Sequence, residues 1–236
     1  MNPLFSIIIT HYYKSATSSE LVGLLANIEA NIANYIELKD LVEVLIYHDG
    51  PNPDSHGIID SLKYFPTLNV SYKETSKRYD DFGYSLREMG LMKASGEYII
   101  NTNSDNVLYN NALFLIKKEI EREYPKNEGE ELINNNLIMF PIKMVGDFYY
   151  GNSIFSVRKE YMGKRLFTDF GIILSGFPVK ESYVDLMQMV IKKSFFDKSG
   201  GWLYKESLAD GKMYNRIFEN NGETLRYIPE ILGEHH

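Results

Sequence analysis

The chain of 236 residues contains no cysteine. That absence excludes disulfides, thiolate nucleophiles and any zinc site built on cysteine sulfur. It fits a reducing compartment, and a cytoplasmic location is the expectation. A basic excess is also missing: 25 Lys and Arg stand against 32 Asp and Glu, for a formal net charge of −7. A general nucleic-acid binder needs a basic face to neutralise phosphates, so no nucleic-acid partner is expected. A small anionic ligand is not excluded, because it asks only for a local positive field or a metal ion. No apolar run approaches the roughly 20 residues of a membrane helix. Met1-Asn2-Pro3-Leu4-Phe5 has neither the basic start nor the apolar stretch of a signal peptide. No transmembrane segment is expected, and work at a membrane would be peripheral or through a partner. Finally, the turn after the first apolar run, Thr10-His11-Tyr12-Tyr13-Lys14-Ser15, has no glycine. Dehydrogenases and methyltransferases of the Rossmann type want a glycine-rich turn there, and nucleotidyltransferases a glycine-rich, basic one. All three fall behind.

What is present reads as an ordinary globular protein, 44% hydrophobic and 24% charged. Phe5 to Thr10 is a short β-branched run, the mark of a buried parallel strand. Ser18 to Tyr35 carries apolar residues at helical spacing, with Ser18 or Ser19 as the expected N-cap. Leu41 to Tyr47 is a second strand, ending in the turn cluster His48-Asp49-Gly50-Pro51. A short helix over Gly57 to Tyr64 and a strand over Leu68 to Tyr72 follow. Gly83 to Ala94 reads as a helix and Glu97 to Asn101 as a strand. Asn111 to Glu123 is an amphipathic helix, and the polar stretch Tyr124 to Asn136 is expected to be a mobile loop. Leu137 to Val145 is a fifth strand. Beyond it Val184 to Lys193 is apolar and Asp210 to Asn220 is helical, but Gly146 to Ser182 has no clear period. Strands alternating with helices predict an α/β fold with a mostly parallel sheet. Without repeat or linker, one domain over 1–236 is expected, with a nucleotide-binding half to about residue 106 and an acceptor half after it.

Several polar clusters fall where such a sheet collects ligands, beyond the carboxyl ends of its strands. Asn103-Ser104-Asp105-Asn106 offers oxygens to a hard cation, although by itself such a run is first of all a turn. Asp49 can accept a hydrogen bond from a base or ribose. Arg87 opens a helix and can fork onto a diphosphate, or make a plain surface salt bridge. Asp210, with Glu206 nearby, is a helix N-cap or a general base. His235 or His236 can complete a metal site, or form a frayed or tag-derived end. The 18 tyrosines and 13 phenylalanines are mostly core, with some rings free to line a cleft.

Taken in order, these clusters resemble the motifs of the family 2 glycosyltransferases. Ser6-Ile7-Ile8-Ile9-Thr10-His11-Tyr12-Tyr13 stands where the family has S-[IV]-[IV]-[IV]-P-x-Y-N. His48-Asp49-Gly50-Pro51 stands for D-D-G-S. A helix with Arg87 follows, then Ala94-Ser95-Gly96-Glu97-Tyr98-Ile99, then Asn103-Ser104-Asp105 for D-x-D. Gly200-Gly201-Trp202 and Ala209-Asp210 match G-G-[FW] and E-D. The resemblance spans nearly the whole chain. It implies a GT-A fold, a nucleotide-sugar donor with UDP favoured over GDP or dTDP, a glycan or glycolipid acceptor, and inversion at the anomeric carbon. It also implies a divalent metal, Mn²⁺ or Mg²⁺. Carried over by position, His11, Tyr12, Asp49, Arg87, Asn103 and Ser104 bind the nucleotide. Asp105 holds the metal with His235 or His236, and Asp210 is the base. Asn103 and Ala209 depart from carboxylates, and Thr10 and His48 from Pro and Asp. These departures leave a competing reading, a GT-A-like nucleotide- or sugar-binding module with weak catalysis.

Overall fold

The computed structural model describes residues 2–124, 134–150, 153–157, 172–180, 183–203, 205–206 and 209–236. The expected loop Tyr124 to Asn136 falls outside them except at its ends.

The first strand, β1 (Phe5–His11), is buried along its whole length. It pairs in parallel with β2 (Val42–His48) on one edge and β4 (Tyr98–Asn103) on the other. Both edges and both faces are covered, which is why its sequence is continuously apolar rather than alternating. β3 (Asn69–Glu74) adds in parallel to β2 at the sheet edge, and its residues are correspondingly half-exposed. Beyond β4 the order continues through β11 (Met189–Lys192), β6 (Leu137–Met139) and β12 (Arg226–Tyr227). β11 runs antiparallel to both neighbours, and β12 is parallel to β6. Side chains alternate across the seven strands. Phe5, Ile7, Ile9, Val44, Ile46 and Ile100 pack under α1 (Ser18–Asn34) and α4 (Ala112–Glu121). Ile8, Leu45, Tyr47 and Ile99 pack against α3 (Tyr84–Lys93) and a late helix, Ala209–Asn220.

Two expectations are corrected in detail. Leu137 to Val145 is not one strand but two, β6 and β7 (Ile142–Met144). Pro141 has no N–H to give to a ladder, and the chain leaves the large sheet there. β7 enters a second sheet, in the order β10 (Ile172–Leu174), β7, β13 (Gly233–His235), β5 (Val107–Leu108). The N-cap of α1 is Thr17, one residue earlier than expected, because Thr17 and Glu20 form a reciprocal capping box. Between the sheets' contributions lie α2 (Ser55–Leu62), the hairpin of β8 (Gly146–Tyr150) and β9 (Ser153–Val157), and α5 (Lys193–Lys198). The late helix is α6.

The turn into β4 is held by a buried carboxylate. Glu43 accepts from Ser6 Oγ, from the Ser95 N–H at 2.6 Å and from the Gly96 N–H at 3.1 Å. A Cβ on Gly96 would sit 2.6 Å from Ser6 N and 2.7 Å from Phe5 C. Both are backbone atoms of a fully buried strand, so neither can yield cheaply. Gly96→Ala is expected to cost about 1–3 kcal/mol as overpacking, read as a lower urea midpoint at unchanged m-value.

Candidate active site

β1, β2 and β4 run parallel, so their carboxyl ends come together. Above them opens a cleft of about 700 Å³. It is lined by His11, Tyr12, Asp49, Arg87, Asn103, Ser104, Asp105, Asp210 and His235. Every candidate residue but His236 therefore lines one cavity. Strand alternation accounts for the exception. Glu234 and His236 share the other side of β13, with Nε2 of His236 3.3 Å from a Glu234 carboxylate oxygen. His235 points the opposite way, onto the cleft. Its place in the second sheet makes it part of the fold.

Arg87 is buried at 3% exposure. Its guanidinium donates to the carbonyl of Phe82 at 2.7 Å, to Thr10 Oγ1 at 3.1 Å and to Asn103 Oδ1 at 2.6 Å. Thr10 Oγ1 in turn donates to Asn103 Oδ1 at 2.8 Å. Two of the departures, Thr10 and Asn103, thus belong to one clasp around one charge. The third, His48, is fully buried. Its Nε2 accepts from the Tyr13 N–H at 3.2 Å, which leaves the ring proton on Nδ1 to be donated to the Gly50 carbonyl at 2.7 Å. It ties the loop after β1 to the turn after β2. The fourth, Ala209, is fully buried in the core, where a carboxylate would find no water. Glu206 does not compensate: it is exposed and paired with Lys212 Nζ at 2.6 Å.

Asp49 is nearly buried and already employed. Its oxygens accept from the backbone N–H groups of Tyr79 at 2.7 Å and Asp80 at 3.1 Å. Gly50 next to it has φ +89°, a conformation L side chains rarely adopt. Asp49 thereby folds the segment 78–80 over the cleft, and Arg78 lies 4.0 Å over the Tyr12 ring. Arg78 was not singled out in the sequence, where nothing distinguishes it from other surface cations.

On the opposite wall, Asp210 sits in the first turn of α6. Its N–H donates to Tyr84 Oη at 3.2 Å, and its Oδ1 accepts from the Gly211 N–H at 2.9 Å. Burial, with Asp185 nearby, pushes its carboxyl up to about 6. Asp105 is also raised by burial, and its Oδ1 is buried without a hydrogen-bond partner. His235 Nδ1 lies 3.0 Å from Asp185 Oδ2. Burial opposes charge on this imidazole, but Asp185, Asp105 and Asp210 outweigh it and hold its pKa up at about 9. Asp185 is the second lining residue missed in the sequence, hidden inside the apolar stretch Val184 to Lys193. Among the described residues no three His, Asp or Glu side chains cluster to hold an ion alone. Asp105 and His235 offer two donors, and hard cations commonly complete their shell with water and substrate phosphates. The unpartnered oxygen of Asp105 fits that role.

On the floor, His11 is 2% exposed with Nδ1 2.8 Å from Ser104 Oγ. Burial, followed by the neighbouring His48, lowers its pKa to about 4. The sign follows directly. Between pH 6.5 and about 4 the unfolded chain binds a proton that the folded chain refuses, so stability falls with acidification. The slope is at most about 1.4 kcal/mol per pH unit. His11→Gln should lose this component, so its stability deficit against wild type at pH 7.5 should shrink or reverse at pH 5 in urea titrations.

No family model matches the chain. It is 26% identical over 196 residues to the GalNAc(5)-diNAcBac-PP-undecaprenol beta-1,3-glucosyltransferase of Campylobacter jejuni subsp. jejuni serotype O:2. That alignment covers 80% of this chain and 50% of the relative. Among solved structures, S. aureus TarS 1-349 in complex with UDP-GlcNAc superposes with a TM-score of 0.65 at 15% identity, over 98% of this chain and 58% of that one. The mannosyltransferase PcManGT from Pyrobaculum calidifontis, in complex with GDP-Man and Mn²⁺, gives 0.63 at 12% identity over 100% and 57%. The chain thus spans about half the length of these proteins. In fold the chain is similar to these two glycosyltransferases, and in sequence it is similar to the glucosyltransferase of Campylobacter jejuni.

Proposed function

We propose that the chain transfers a sugar from a nucleoside diphosphate to a hydroxyl of a glycan or glycolipid acceptor, with inversion at the anomeric carbon. The observation that carries this reading is the meeting of Asp210 and Asp105 on the walls of one cleft at the strand ends. Asp210, with a pKa near 6, is ionised at neutral pH yet basic enough to take a proton. It accepts the proton of the acceptor hydroxyl as that oxygen attacks the anomeric carbon. The bond from that carbon to the diphosphate breaks, and a nucleoside diphosphate leaves. Tyr12, Asp49 and Arg78 would frame the base and ribose. Asp105 and His235 would hold a divalent cation, Mn²⁺ or Mg²⁺, which when bound neutralises charge on the leaving diphosphate. UDP is the favoured nucleotide, in keeping with the TarS structures that hold UDP and UDP-GlcNAc. GDP remains a rival through the mannosyltransferase.

Calorimetric titration with UDP, GDP and dTDP, each with and without Mn²⁺, should find metal-dependent binding of one of them, and binding of none would overturn the reading. Asp210→Asn should keep nucleotide binding and lose roughly 10²–10⁴-fold in transfer. For wild type, kcat/KM should rise with pH through about 6 and then level, because the base must be ionised. The departures at Asn103 and Ala209 favour a second reading, a nucleotide- or sugar-binding module. Nucleotide binding without transfer or donor hydrolysis at any pH would select it.

A further inference from the structure

His235 does not stand alone on the cleft wall. Its Nδ1 lies 3.0 Å from Asp185 Oδ2. Asp185 is itself buried, at 9% exposure, and is fixed by two hydrogen bonds. Its Oδ1 accepts from the Met187 N–H at 2.9 Å. Its own N–H donates to Gln188 Oε1 at 2.8 Å. Gln188, fully buried, then donates through Nε2 to the carbonyls of Phe140 at 3.1 Å and Leu174 at 2.8 Å. Those carbonyls belong to the segment joining β6 to β7 and to β10. The carboxylate is held by the Met187 N–H, and the backbone of Asp185 is tied through Gln188 to β10 and to the segment that joins the two sheets. On the other side of the pair, the His235 carbonyl accepts from the Val145 N–H at 2.7 Å, within the β13–β7 pairing. The Asp185 carboxylate cannot swing without giving up the Met187 N–H, and the backbone that carries His235 is held in the sheet.

A locked carboxylate on one ring nitrogen has a specific consequence. The contact is an ion pair rather than an aligned hydrogen bond; it favours the proton on Nδ1, so that an arriving cation displaces the proton on Nε2 and takes that nitrogen's lone pair. His235 and Asp105 line the same cleft, and Asp105 Oδ1 is buried without a partner. The other carboxylate on β13 is not available for this task. Glu234 accepts from Tyr109 Oη at 2.9 Å and faces Lys143 and His236 on the far side of the strand.

Resting on the glycosyltransferase reading of this cleft, we propose that Asp185 is a positioning residue. It orients His235 so that Nε2, together with Asp105 Oδ1, receives the divalent cation of the donor diphosphate. Asp185 touches neither donor nor acceptor in this role, and it acts through the imidazole.

The test is Mn²⁺ affinity, measured by calorimetry in the presence of UDP for wild type, Asp185→Asn and Asp105→Ala. The asparagine keeps the cap on the Met187 N–H, and near-UV circular dichroism checks that it is folded. Asp185→Asn should bind Mn²⁺ about 10–100-fold more weakly, while its affinity for UDP without metal stays at the wild-type value. A merely structural role would move both or neither. If Asp105→Ala loses Mn²⁺ while Asp185→Asn binds it like wild type, the inference falls and the reading of the cleft stands. If wild type takes up no Mn²⁺, or Asp105→Ala takes it up equally, both fall. Should Asp185→Asn not fold, imidazole ¹⁵N shifts of wild type with Mg²⁺ and UDP decide the matter. A proton retained on Nδ1 of His235 supports the role, and one on Nε2 overturns it.

Discussion

Arg87 carries its charge at 3% exposure, and taking such a group out of water costs several kcal/mol unless its donors are met. Nε is buried without a partner, and the rest of the cleft floor follows from how the two terminal nitrogens are met. The guanidinium reaches the Phe82 carbonyl just before its own helix, Thr10 on β1 and Asn103 on β4. Three elements from distant parts of the chain are thereby pinned at one point. The end of β1 then delivers His11 and Tyr12, and the end of β4 delivers Ser104 and Asp105. The same ring of contacts places Tyr84, one turn before Arg87, where its hydroxyl meets the N–H of Asp210. Removing the arginine would leave Thr10 and Asn103 paired with each other and would take away the polar tie between α3 and both strands, leaving the apolar packing of Leu86 and Leu91.

The two walls of the cleft differ in electrostatic character. The wall built from β1, β2 and the segment 78–80 uses its carboxylates structurally. Asp49 spends both oxygens on backbone N–H groups, and Asp80 is paired with Arg78. The wall built from Asp105, Asp185, Asp210 and His235 holds three carboxylates against one imidazole. The carboxylates raise His235 to about 9 against the effect of burial, and burial, with Asp185 beside it, raises Asp210 to about 6. Crowded like charges in a partly dry cavity are unfavourable for folding and useful for chemistry, and perturbed pKa values of this kind mark functional sites. A ligand that brings positive charge would relieve the carboxylates, which is the electrostatic case for a cation at Asp105; to reach His235 as well it would have to displace a proton from the ring.

Much of this was legible in the residues. The apolar run at Phe5 to Thr10 and the alternation of strands with helices give the parallel block, because a strand covered on both faces has no polar side to show. Asp105, Asp210 and His235 were legible as chemistry-bearing types at strand and helix ends. What escaped did so for physical reasons. Pro141 breaks a continuous apolar run without altering its hydrophobic pattern, so the passage from one sheet to the other is invisible in composition. Asp185 sits among apolar residues, where nothing local announces that a strand some 50 positions away will bring a histidine to it. Glu206 looked like a spare carboxylate, but its partner is Lys212, six residues on. Asp49 also has a task that nothing local announces: its oxygens hold the backbone that covers the cleft.

The replacement at position 103 can be understood on the same terms. An aspartate there would lie against the Arg87 guanidinium, and the two charges would largely cancel. Asparagine keeps the hydrogen bond at 2.6 Å while adding no charge. The carboxylates that then act on Arg87 are those across the cleft, Asp210 and Asp185. The positive charge of the floor is thus directed at the opposite wall rather than spent locally, and an anionic group entering between them meets it. In this arrangement a neutral residue in a D-x-D-like motif is compatible with an active site. On the proposed reading, the motif's last carboxylate, Asp105, would serve the cation and the field of the arginine would serve the diphosphate.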